Sequence, residues 1–346
     1  MTEVVLVTGV SRYLGGKLVQ QLSADRSIGR IIGVDVVPPP HSIGRAEFVR
    51  ADIRNPMIGR IITQANVDTV VHMNVLATPT QAGGRVSQKE INVIGTMQLL
   101  AACQKAKTVT RLSVKSSASV YGASARDPAK FTEDTGPKAM PTSGFGKDSV
   151  EVEGYVRGFS RRRPDVEVSI LRFASVIGPG IRTAFTEYFA LPVVPVPLGF
   201  DARLQFLHED DATRAMVLAV TGPSVGIVNV AGDGVLTVSQ AAAMAGRVTV
   251  GVPMAKMTMG TIMRRAGLAD FSHDQIDLLT YGGGLDTTRM REVMHFEPAM
   301  TTRQAFQDYA AHLGPAIPGS DRVLGALGTA AGGAGRLVGR LRSVMG

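Results

Sequence analysis

The residues whose spacing carries chemistry are Thr8-Gly9-Val10-Ser11-Arg12-Tyr13-Leu14-Gly15, together with Asp35 further along the chain. An uncharged, β-branched run, Val4-Val5-Leu6-Val7, breaks into this glycine turn, and helical residues from Lys17 to Leu22 follow. A strand that turns at a glycine and starts a helix at once points unpaired backbone N–H groups and a helix N-terminus at one place, which is a seat for phosphate. Gly9 permits the turn, and Gly15 lets the helix pack close to the strand. A second strand, Arg30 to Val34, delivers Asp35 at the distance where a carboxylate accepts hydrogen bonds from adenosine ribose hydroxyls. A 2′-phosphate would meet that carboxylate as a like charge. The pattern therefore implies a dinucleotide site that favours NAD over NADP.

Such a turn needs a sheet behind it. Strand-like runs at Glu47 to Arg50, Thr69 to His72, Arg111 to Val114 and Val166 to Leu171 alternate with helix-like runs at Met57 to Gln64, Gln88 to Lys105 and Phe145 to Phe159. Alternation of this kind predicts a doubly wound parallel sheet. After Gly178-Pro179-Gly180 the character changes, with Pro192, Pro195 and Pro197 crowded together, yet Gly226-Ile227-Val228-Asn229-Val230 again reads as a short buried strand. Expected is a dinucleotide-binding domain over residues 1–175 with returns near 205–232. A smaller, discontinuous lobe over 176–314 and a Gly/Ala-rich basic tail over 315–346 complete the division.

The chain has 346 residues and a formal charge of +8, so anionic partners need weighing. The charge is scattered, and its densest cluster, Arg157 with Arg161-Arg162-Arg163, closes a helix before Pro164, where cations offset the helix dipole. With no tryptophan and no recognisable nucleic-acid module, nucleic acid is not an expected partner. The single cysteine, Cys103, lies in an apolar helical run and reads as a packing residue in a reducing compartment. Met1-Thr2-Glu3 leads directly into the first strand and no long uncharged run follows, so a cytoplasmic protein is expected. In the tail, Leu337, Leu341, Val344 and Met345 share one helical face, suited to an anionic membrane surface or a neighbouring subunit. Gly332, Gly333 and Gly335 oppose a longer helix, and a frayed terminus is the alternative.

These landmarks together resemble the extended short-chain dehydrogenase/reductases, the NAD-dependent sugar-nucleotide epimerases and dehydratases, over roughly the first 310 residues. Ala51-Asp52-Ile53-Arg54 is similar to that family's segment beside the adenine, and Val70-Val71-His72-Met73 to its strand beneath the cofactor. Asn92-Val93-Ile94-Gly95-Thr96 resembles its Asn-Val-x-Gly-Thr helix start, and Ser116-Ser117-Ala118-Ser119-Val120-Tyr121-Gly122 its serine strand. Leu171-Arg172, Val176-Ile177-Gly178-Pro179, His208 to Asp211 and Leu285-Asp286-Thr287-Thr288 continue the correspondence. The resemblance implies a Rossmann-type fold with NAD held by Thr8, Gly9, Arg12, Leu14, Gly15, Asp35, Asp52, Ile53 and Asn92. It also implies a small-molecule substrate, with a nucleotide sugar as the family's example, and a homodimer as a candidate assembly.

Four departures qualify it. The middle glycine of the family's loop is Arg12, whose guanidinium either points to solvent or adds a contact to the phosphates. The family's Tyr-x-x-x-Lys pair falls on Phe145 and Ser149. In the family the tyrosine hydroxyl is the general acid or base and the lysine, one turn later on the same helix face, lowers its pKa; here neither group exists. Lys147 lies about 200° round the helix from Phe145 and should face elsewhere. Leu204 stands where an arginine commonly grips a diphosphate, with Arg203 on the opposite side of the strand, and Ser175 stands where an asparagine is often found.

Ser117 matches the family's substrate-orienting serine, although a serine with no adjacent base is a poor nucleophile, and a capped strand end is its plain role. Tyr121 is a candidate replacement acid or base, set against a structural role. His72 reads as a packed core histidine. No metal-ligand spacing, Walker loop or Gly-x-Ser-x-Gly elbow is present. Three functions follow: an epimerase- or dehydratase-like oxidoreductase with a non-standard acid or base, a non-catalytic NAD-binding regulatory or scaffold protein, or a peripheral protein in which the tail matters most.

Overall fold

The computed structural model describes residues 3–136, 138, 140–252 and 272–314, without the side chains of 80 and 81. Its strands in chain order are β1 (Val4–Thr8), β2 (Arg30–Asp35), β3 (Glu47–Arg50), β4 (Thr69–His72), β5 (Arg111–Ser117), β6 (Glu167–Phe173) and β7 (Ser175–Ile177). They continue with β8 (Val193–Pro197), β9 (Arg203–Leu204), β10 (Phe206–His208), β11 (Gly226–Val230), β12 (Leu236–Thr237) and β13 (Val248–Val252). Seven of them form one sheet in the order β11-β6-β5-β4-β1-β2-β3, and every neighbouring pair is parallel. The strand order reverses between β1 and β4. Their carboxyl ends splay there, and in open α/β sheets that is the place where ligands bind.

The run Val4 to Val7 is apolar throughout because both sheet faces are covered. Val5 and Val7 pack with Leu18 and Leu22 of the helix Tyr13–Ala24 and with Met216 of the helix Glu209–Thr221. Leu6, on the opposite face, joins Leu99 and Cys103 of the helix Thr96–Lys105 and Phe159 of the helix Gly144–Arg162. Burial pushes the Cys103 thiol up to about 12, so it stays protonated and packs as a small hydrophobe. A separate core holds the smaller lobe, where Phe189 meets Phe306 edge to face at 5.0 Å with Tyr188, Phe206, Leu204 and Leu236 around them. Full burial of each such ring contributes roughly 1.5–3 kcal/mol.

β11 returns to the main sheet beside β6, as its short buried run predicts. Two expected elements differ in detail. The run Gln88 to Lys105 is not one α-helix: Arg85–Lys89 is followed by a π-helical segment, Glu90–Gly95, and then by Thr96–Lys105. The wider segment carries Asn92, whose side chain holds the backbone of Leu76, and Gly95, where a Cβ would lie 2.7 Å from Ile53. The strand from Arg111 runs on to Ser117, beyond its expected end at Val114. Residues 315–346, including the proposed apolar face of the tail, lie outside the described residues. Among the described residues no helix is long and apolar enough to cross a membrane.

Candidate functional site

Gly9 takes φ +78°, which L side chains rarely adopt, and its N–H donates to the Val34 carbonyl at 2.9 Å, tying the turn to β2. A Cβ on Gly15 would stand 2.1 Å from the Gly9 carbonyl oxygen, so this approach of helix to turn exists only with glycine. Asp35 is buried at the end of β2. One carboxylate oxygen accepts from the Ser11 N–H at 3.0 Å and the Ser11 hydroxyl at 2.5 Å, and the other from the Val36 N–H at 2.8 Å. Each oxygen offers two lone-pair sites and three of the four are taken, so the carboxylate both braces the turn and keeps capacity for one ribose hydroxyl.

Arg12 has φ −84° and ψ 151°, an extended conformation open to any residue, so the missing middle glycine imposes no backbone strain. Its Nε is buried without a hydrogen-bond partner. Leu14 is buried and faces the pocket described below. The cradle is therefore complete in backbone, and it carries an orphaned cationic group that suits an anionic ligand.

The Thr8 hydroxyl meets His72 Nδ1 at 2.9 Å and accepts from the Met73 and Asn74 N–H groups, fixing the end of β1 against the segment after β4. His72 Nε2 lies 2.8 Å from the Thr96 hydroxyl, and burial holds this imidazole down to about 3, so it is a neutral bridge in the core. Asp52 is clasped by Arg54, whose hydrogen bonds hold its carboxyl below the usual range, and Ile53 is buried against Gly95. Asn92 accepts from the Leu76 N–H at 2.7 Å, donates to the Leu76 carbonyl at 2.9 Å and reaches the buried Asp148 at 3.2 Å. Arg85 completes that group with two short contacts to Asp148, of 2.5 and 2.6 Å.

Beyond the cradle opens a pocket with mainly apolar walls, among them Phe131, Phe145, Phe173, Phe185, Leu204 and Leu285. Ser117 and Ser175 face it. The Ser117 hydroxyl accepts from the Ser119 N–H and donates to the Ser119 hydroxyl, both at 3.1 Å, which caps the short turn Ala118–Tyr121. Phe145 forms part of the wall. Ser149, 1% exposed, donates its hydroxyl to the Phe145 carbonyl at 2.9 Å. Lys147 is exposed, as its angular offset predicts, and Arg203 is exposed while Leu204 is buried.

The Tyr121 ring reaches the pocket, but its hydroxyl is held elsewhere. It donates to Asn229 at 2.8 Å and accepts from Arg172 at 2.7 Å, with the Arg172 guanidinium 4.9 Å from the ring centre. Arg172 also binds Glu153 through two nitrogens at 2.9 and 2.7 Å, and Ser116 donates to Glu153 at 2.6 Å. Burial raises the Tyr121 pKa. The site thus brings Ser117, Phe145 and Leu204 together, while Tyr121 presents only its ring.

One residue that sequence reading passes over stands in the same pocket. Lys115 lies two positions before Ser117 on β5, hence on the same strand face, and lines the wall with Leu14 and Ser117. It makes no hydrogen bond or ion pair among the described residues. The signal for it is a lysine that keeps the two-residue alternation with Ser117 on the strand. Among the described residues no cluster of side chains is suited to a metal ion.

Comparison with known proteins agrees with this geometry. An uncharacterised protein of Mycobacterium tuberculosis is 46% identical over 312 residues, 89% of this chain and 83% of its own. A putative UDP-glucose 4-epimerase of Methanocaldococcus jannaschii is 24% identical over 62% of this chain and 73% of its own. Among solved structures, the UDP-glucose 4-epimerase of Thermotoga maritima with UDP-glucose aligns with TM-score 0.68 at 20% identity, over 89% of this chain and 98% of that one. The UDP-glucuronic acid 4-epimerase of Bacillus cereus, in complex with UDP-glucuronic acid and NAD, aligns with TM-score 0.69 at 18% identity, over 90% and 98%. Residues 5–231, which span the cradle, Asp35, Asn92, Ser117 and the Phe145–Ser149 helix, match the model of the NAD dependent epimerase/dehydratase family, and the chain belongs to that family.

Proposed function

We propose that the chain binds NAD at the β1 cradle and acts as a sugar-nucleotide epimerase- or dehydratase-like oxidoreductase in which proton transfer does not use the usual tyrosine. The observation that carries this reading is the intact Gly9–Gly15–Asp35 cradle opening directly onto a walled pocket with Ser117 at its edge. Hydride acceptance and return are the chemistry the cofactor supplies when bound. The chain's own part is to seat the diphosphate at the start of the helix Tyr13–Ala24, to hold the adenosine ribose at Asp35 and to flank the adenine with Asp52 and Ile53. Asn92 fixes the wall behind the nicotinamide through Leu76. Ser117 offers a hydroxyl to orient a substrate alcohol, and the apolar walls exclude water from it.

The second reading, a non-catalytic NAD-binding regulatory or scaffold protein, is favoured by one observation: Ser149 spends its hydroxyl on its own helix and Phe145 has none to offer. Leu204 makes a nucleotide sugar a weaker fit than NAD, because the pocket lacks a cation at that position. Oxidation of a bound substrate would appear as absorbance at 340 nm when the protein, supplied with NAD, is mixed with UDP-glucose, UDP-galactose or UDP-glucuronic acid. Reduced cofactor with any of them supports the enzyme reading. A bound cofactor that stays oxidised with all three, with no epimerised or dehydrated product formed, supports the regulatory one.

A further inference from the structure

Two cations without partners among the described residues, Arg12 and Lys115, lie near enough for their charges to interact, and Lys115 lines the cleft. Arg12 sits at the start of the helix Tyr13–Ala24 with Nε buried and unpartnered, and its side chain makes no hydrogen bond or ion pair among the described residues. Lys115 approaches from β5 and is likewise without a counter-ion. Unpaired buried charge is costly, and two like charges that repel each other are costlier still unless an anion lies between them. The nearby carboxylates are committed: Asp35 to Ser11 and Val36, and Glu209 to Tyr13 and the N–H groups of Gly180 and Ile181.

We propose that Lys115, with Arg12, holds the anionic diphosphate of the dinucleotide. The inference rests on the dinucleotide reading above and assigns its seat to particular residues. The charged and titratable groups that act on Lys115 are Arg12, from the helix start, and His72, from β4; His72 is neutral there, so Arg12 is the one that matters. Lys115 keeps some surface open to the cleft, yet its ammonium is enclosed, and burial followed by the Arg12 charge brings it down to about 8. An anion between the two cations favours the charged amine. Filling the seat therefore takes up a proton: little at pH 6, where the amine is already charged, and about half a proton at pH 8.

The test is calorimetric titration of the full chain with NADH at pH 6 and pH 8, each in two buffers of different ionisation enthalpy, which yields both Kd and the number of protons taken up. Expected is proton uptake at pH 8 and not at pH 6, with weaker binding at the higher pH. Lys115→Met should bind NADH roughly 10–100-fold more weakly and lose the uptake. Lys115→Arg, which keeps the charge and guards against a folding defect, should retain binding within about threefold and also lose the uptake. NADH binding by the wild type with no proton uptake, or Lys115→Met binding as tightly as wild type, overturns this assignment and leaves the dinucleotide reading intact. No NADH binding by folded wild-type protein overturns both.

Discussion

The Ser149 hydroxyl donates to the Phe145 carbonyl oxygen, 2.9 Å away and four residues earlier on the same helix. Of the two positions where the resemblance implies a tyrosine and a lysine, Ser149 is thus bound to its own helix backbone while the Phe145 ring faces the pocket. Phe145 retains an aromatic wall, and the buried Ser149 hydroxyl is paired with the Phe145 carbonyl. The pocket is preserved in shape while its usual proton donor is gone.

From that relationship, UDP-galactose epimerisation by the wild type is expected to be about 10²–10⁴-fold below an enzyme with a positioned acid or base. Phe145→Tyr should fold normally, because the ring already faces the pocket. Ser149→Lys enters a site only 1% exposed and should cost about 1–3 kcal/mol, read by urea unfolding. The double variant tests whether the pocket still admits a nucleotide sugar: measurable turnover shows that it does despite Leu204. Fast turnover by the wild type would instead show that another group transfers the proton.

Gly15→Ala should abolish NADH binding and lower stability, because the new Cβ would need to pass the Gly9 carbonyl oxygen at 2.1 Å and must drive helix and turn apart. NADH fluorescence titration with parallel thermal unfolding separates the two effects. A folded alanine variant that binds NADH like the wild type would contradict the cradle geometry.

His72 predicts an acid limb of stability. Its folded pKa of about 3 lies below the unfolded value of about 6.5, so between these limits the unfolded chain holds more protons. The contribution is fully present above about pH 6.5 and is lost as pH falls, by up to about 1.4 kcal/mol per pH unit. Urea unfolding at pH 5 and pH 7 should show this slope in the wild type and a flatter one in His72→Asn. Equal slopes would mean that carboxylates elsewhere govern the acid limb.

Much of the fold was legible in the sequence, because strands buried on both faces must be short apolar runs, and Gly226–Val230 announces its return to the sheet in that way. Phe145 and Ser149 were legible only through the family resemblance, whose Tyr-x-x-x-Lys pair falls on them. The occupancy of the Tyr121 hydroxyl was not, since its partners Arg172 and Asn229 are brought to it by β6 and β11 from far along the chain. The break in the helix around Asn92 was hidden too, because side-chain bonds to Leu76 leave no periodic trace. Lys115 was missed because the strand was expected to end at Val114, which left its lysine without a face.

The most direct test of the account is the wild-type protein's preference between NADH and NADPH, measured by titration calorimetry alongside Asp35→Ala. NADH is expected to bind and NADPH to bind more weakly, because Asp35 opposes a 2′-phosphate while the neighbouring Arg50, its register partner on β3, donates to the Val36 carbonyl at 2.9 Å. Asp35→Ala should weaken NADH by roughly 1.5–3 kcal/mol and narrow the difference between the two cofactors. Equal or tighter binding of NADPH by the wild type, or binding of neither by folded protein, would contradict it.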